Sequence, residues 1–132
     1  MDKTMDKTKS YITDEETINC RKVADAFSEL LDSEDIAVLN AGKYGFVKLQ
    51  YFKYPDGFDN MNSYYDSKSL FNALWDEWLY TQLICLSAGT PMENMNFDEI
   101  LQCLPEEKRK ELLDKQFYFA DKTGVINLLV EL

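Results

Sequence analysis

A chain of 132 residues is long enough for one core that buries roughly two thirds of the unfolded surface, so a single domain is expected. Apolar residues make up 45% of it and aromatics 14%, which excludes a chain too polar to fold. With 24 acidic side chains against 14 basic ones and no histidine, the formal charge is −10, a field that repels phosphate backbones and argues against direct nucleic-acid binding.

MDKT occurs twice, at 1–4 and 5–8, and residues 1–11 read as a flexible tail ahead of one globular domain over 12–132. The tail lacks the apolar run of a signal peptide, and nowhere does the chain approach the roughly 18 apolar residues of a membrane span. Neither secretion nor membrane association is expected, and a reducing, cytoplasmic setting suits the three scattered cysteines.

Thr13 followed by Glu16 matches a capping box, with Asp14 and Glu15 adding favourable charge in the first turn, and predicts a helix from about Asp14 to Asp32. Its apolar stripe comprises Ile18, Val23, Ala24, Phe27, Leu30 and Leu31. From Ile36 to Tyr54 the period shortens to two around Gly42-Lys43-Tyr44-Gly45, which predicts a β-hairpin. Val47, Leu49 and Tyr51 alternate with Lys48 and Gln50, so the apolar three are expected to face the core. Pro55-Asp56-Gly57 signals a turn and opens an Asp- and Asn-rich loop through Tyr65.

Asp66 or Ser67 caps a long helix to about Ser87, whose Trp75 and Trp78 mark it as the central helix of the core. Gly89 and Pro91 end it. Asn96 caps a short helix to Cys103, and Pro105 opens another that buries Leu112, Leu113 and Phe117. After Gly124, the apolar run from Val125 to Leu132 can add a third strand to the hairpin or remain helical, the strand being the expectation; as an unpaired edge it would instead support a homo-oligomer. The fold class is therefore α+β: an N-terminal helix, an antiparallel hairpin extended by a C-terminal strand, a long central helix and two shorter C-terminal helices.

The absence of histidine excludes the commonest general base, the Ser-His-Asp and Cys-His arrangements, and every His-containing zinc motif. Cys20, Cys85 and Cys103 form no C-x-x-C pair and are expected to be buried, inert thiols. No phosphate-cradling glycine motif occurs. The run from Asp56 to Asn62 fails as a calcium loop, because it places Phe58 at a ligand position and lacks glycine at the sixth. No catalytic residue, cofactor site or metal site is assigned. Carboxylate-only chemistry remains as an alternative, its signature being two sequestered acids with raised pKa values.

Two features point to a binding surface. Tyr44 at the hairpin tip and Tyr54, Phe58, Tyr64 and Tyr65 in the loop are more aromatics than a hairpin and a helix readily hide. Acidity concentrates in 12–35, with eight acids and two bases, and in 67–104, with five acids and one base. Asp25, Glu29 and Asp32 fall three and four apart and form one predicted stripe, while Asp76 and Glu77 lie on the outer side of the central helix. These ten residues suggest a non-enzymatic protein that binds a protein partner through the partner's basic surface. Small acidic inhibitors and immunity proteins, including DNA mimics and anti-CRISPR proteins, share this size and charge, a likeness of bulk properties and not of motifs.

Overall fold

The structure, a computed structural model, describes residues 11–52, 57–126 and 128–129. Its order is α1 (Asp14–Ala26), α2 (Ser28–Ser33), β1 (Ile36–Asn40), a 3₁₀ turn (Gly42–Tyr44), β2 (Phe46–Phe52), β3 (Gly57–Tyr64), α3 (Ser67–Ser87), α4 (Phe97–Cys103) and α5 (Glu106–Thr123). The α+β class, the hairpin, the long central helix and the two C-terminal helices are all as the sequence implies.

The N-terminal helix does not run through to Asp32. It breaks at Phe27, which takes φ −104° and ψ 19° and drops its ring into the core, stacked on Phe119 at 4.5 Å and edge-on to Phe71 at 5.5 Å. Burying that ring outweighs one continuous helical ladder. Thr13 Oγ1 accepts from the Glu16 amide as a cap should, but the Glu16 carboxylate leaves the box. It accepts from the Ser67 amide at 2.8 Å and from Ser67 Oγ, tying the start of α1 to the start of α3. Asp66 supplies the second cap of α3 through the Ser69 amide, and Asn96 with Glu99 forms a complete capping box on α4. Ile18, expected in the core, lies on the open side of α1.

The sheet has three antiparallel strands in the order β1-β2-β3, and the third comes from the expected loop, not from the C-terminus. Asp- and Asn-rich composition disguises β3; a register shift opposite Lys48 and Gln50, with Asn60 at φ 57°, accommodates residues poorly suited to a regular strand. Among the described C-terminal residues, Val125, Ile126, Leu128 and Leu129 form no strand; Leu128 is buried in the main core and Val125 and Leu129 pack against it. Asn127 and 130–132 lie outside the described residues. Tyr11, assigned to the tail, is anchored by its amide to the Lys43 carbonyl at 2.9 Å, and Ile12 is buried. The tail reading of 1–10 lies outside the described residues.

The faces of the sheet are the reverse of the expected ones. Val38, Phe46 and Tyr64 pack onto the helices, and Lys48 shares their side. Its ammonium reaches the α3 carboxylate of Glu77 at 2.7 Å, with the two side chains 11% and 33% exposed. Val47, Leu49 and Tyr51 take the outer face, half-buried. An aliphatic stem with a paired head is thus accepted between layers, while the alternate apolar set remains outside. The main core gathers Val23, Phe27, Leu70, Phe71 and Leu74; a second, around Leu83, Ile100, Leu104 and Leu112, joins it through Trp78 and Leu79. On α5 the inward residues are Leu112, Phe119 and Thr123, whereas Leu113 and Phe117 are exposed, because the helix packs along its 112/119/123 line.

Replacing Lys48 with Ala should cost about 2 kcal/mol in urea denaturation by stranding Glu77, and the double change Lys48→Met with Glu77→Leu should recover most of that loss.

Candidate functional site

The expected binding residues do not form one face; seven of the ten fall in a tyrosine patch or in three clefts among the described residues, and Asp25, Tyr54 and Tyr64 do not. At the hairpin end, Tyr44 and Tyr65 meet around Tyr11, whose ring centroid lies 6.1 Å from the first and 6.3 Å from the second. All three are exposed, and Lys43 sits over Tyr44 at 5.1 Å. Tyr11 was missed in the sequence because it adjoins a charged, low-complexity start. Tyr64 is instead turned toward the core, and Tyr54 lies outside the described residues. The patch depends on Gly45: at φ 81° and ψ −153°, a Cβ there would stand 2.4 Å from the Tyr64 carbonyl oxygen and 2.8 Å from the Tyr65 ring.

The acidic stripe is broken along with the helix that was to carry it. Asp25 belongs to α1, while Glu29 and Asp32, both on α2, line different clefts. The first cleft, about 470 Å³, lies among α2, α3 and α5. Phe27, Trp78 and Phe119 line it, with Glu29 and Glu34 contributed by the α2 side and Lys115 and Lys122 by α5. Both lysines rest against Tyr118, at 4.9 and 5.8 Å from its ring centre. The second, about 330 Å³, places Asp32 and Asp35 beside Tyr51 and Phe58, whose rings meet edge-on at 5.3 Å.

The third cleft, about 410 Å³, runs between the sheet and α3 and is lined by Gln50, Phe52, Asn60, Asp76, Glu77 and Tyr80. Glu77 is neutralised by Lys48, but nothing among the described residues bonds to the Asp76 carboxylate. Partial burial, and then the adjacent Glu77 charge, push the Asp76 carboxyl above its ordinary range. Asp76 and Glu77 are successive helical residues and do not face one another as a catalytic pair would. All three clefts set carboxylates beside aromatic rings, but only the second and third do so without a lysine in the lining; Lys115 and Lys122 balance Glu29 and Glu34 in the first. Phe52 and Tyr80 were not singled out in the sequence, since each belongs to an element expected to bury its aromatics.

Only Cys20 fits the expectation of buried thiols. Burial first, then the charges of Glu16 and Asp66, push its thiol up to about 12. Cys85 and Cys103 are exposed, the latter with Sγ 3.9 Å from Met95 Sδ. Among the described residues no group of three or more Cys, Asp or Glu is placed to hold a metal ion, and no helix is long and apolar enough to cross a membrane. Comparison with known proteins finds no matching family model, no similar curated protein and no similar solved structure.

Two outcomes are expected. Gly45→Ala should lower stability by at least about 1 kcal/mol more than Gly42→Ala in matched denaturation curves, because both residues have positive φ but only Gly45 meets a clash. In the native protein a thiol-reactive chromophore should titrate Cys85 and Cys103 rapidly, and Cys20 only after denaturant is added.

Proposed function

We propose that this chain is a non-enzymatic, acidic binding protein that occupies a basic surface on a protein partner, in the manner of an inhibitor or immunity-type protein. The observation that supports this reading is the repeated placement of carboxylates beside aromatic rings at separate clefts. Lysine and arginine side chains are the natural complement: the carboxylate supplies charge and the ring supplies an apolar, electron-rich face. The exposed tyrosines at the hairpin end add contact area with few rotatable bonds to immobilise. A formal charge of −10 favours rapid encounter with a basic partner.

The interrupted helix changes the form of the reading. Charges at regular helical spacing would mimic a phosphate backbone, whereas Asp25, Glu29 and Asp32 serve different parts of the surface. Recognition of individual basic side chains fits this layout better than imitation of a nucleic-acid strand.

Affinity capture from host extract with the full chain as bait, followed by mass spectrometry, should retain a basic protein whose capture falls as salt rises from about 50 to 300 mM. Reversing Asp25, Glu29 and Asp32 to Lys should slow its association about tenfold at low salt while leaving thermal stability nearly unchanged. Capture insensitive to both salt and charge reversal would sink the reading.

A further inference from the structure

We propose that the cleft between the sheet and α3 is a socket for an arginine side chain of the partner, with Asp76 as its anionic floor and Phe52 and Tyr80 as its walls. The proposal rests on the binding reading above and names the group that one cleft accepts.

Asp76 sits in a cleft of about 410 Å³ with no hydrogen bond or ion pair among the described residues. Lys48, the cation bound to the adjacent Glu77 at 2.7 Å, is engaged there. Among the described residues, then, no cation pairs with Asp76, and its side chain is open to the cleft. Phe52 and Tyr80, 40% and 48% exposed, line the same cleft. Tyr80 also packs against Phe97, with ring centroids 4.0 Å apart. Gln50 and Asn60 supply amide groups to the remaining wall.

The chemistry of the lining selects the occupant. An apolar group would leave the carboxylate desolvated and unpaired, and an anion would be repelled by Asp76 and Glu77 together. A cation is required. A guanidinium suits the site better than an ammonium: it is planar, stacks on aromatic faces, is weakly hydrated, and presents two N–H groups to one carboxylate while others remain for side-chain amides. Partial burial, and then the Glu77 charge, displace the Asp76 titration upward, and a bound guanidinium should bring it back down.

The test uses the isotopically labelled full chain, titrated at low salt with N-acetyl-arginine amide and followed by backbone amide shifts. Saturable shifts centred on Gln50, Asn60, Asp76 and Tyr80 are expected. The citrulline analogue, which keeps the shape and loses the charge, should bind about tenfold more weakly or not at all. Asp76→Asn should abolish the shifts, Tyr80→Ala should weaken binding about threefold, and Glu93→Gln, a control on exposed acidity elsewhere, should leave it unchanged. Unchanged spectra, equal binding of the citrulline analogue, or full binding by a folded Asp76→Asn protein would each overturn the socket. The readout needs no partner. Salt-sensitive capture without arginine-amide binding therefore removes the socket alone, and amide binding without capture of any basic protein supports the socket's chemistry while removing the wider reading.

Discussion

The contact between Lys48 and Glu77 joins the central strand of the sheet to the central helix, and much of the molecule's surface chemistry depends on it. A lysine between two packed layers is tolerated only if its ammonium has a partner, and the partner must come from the helix beneath. Glu77 meets that requirement, and Phe46, Val38 and Tyr64 supply the apolar contacts of the same inward face. The pairing also commits that lysine to Glu77, the residue beside Asp76 on the same helix. A structural ion pair and a carboxylate with no partner among the described residues thus stand side by side on α3.

The second constraint is at the beginning of the helical layer. Glu16 leaves its own helix terminus to cap the N-terminus of α3, fastening elements some fifty residues apart in the chain. Asp66 completes that cap, and both carboxylates then bear on Cys20, which burial already renders unreactive. At the opposite side of the hairpin, Gly45 lets the Tyr65 ring approach the backbone closely, and Tyr11 closes the patch. Acidic groups thus serve in several ways among the described residues: they cap helices, pair with lysines, or line clefts beside aromatic rings.

Much of the architecture was legible in the residue pattern. Thr13, Asp66 and Asn96 all cap helices, Gly42 and Gly45 turn the hairpin, and Trp75 and Leu74 sit in the core of a long central helix. These depend on chemistry within a few residues. The candidate surface was legible only in part. Acidity and surplus aromatics pointed to Asp76, Glu77, Asp32, Phe58, Tyr44 and Tyr65, and each lies at a cleft or in the tyrosine patch. Phe52, Tyr80 and Tyr11 were not foreseen, because residue type alone does not tell a buried ring from an exposed one.

The sequence by itself determined the α+β class, the helix starts, the hairpin turn and the acidic field, since each follows from local backbone preference or from simple charge. Tertiary structure alone decided the break at Phe27, the strand hidden in an Asn-rich segment, the inward turn of Lys48 and the open state of Asp76. Those outcomes required comparing alternatives of similar local energy, and the comparison was settled by partners distant in the chain: Phe119 for Phe27, strand β2 for β3, and Glu77 for Lys48.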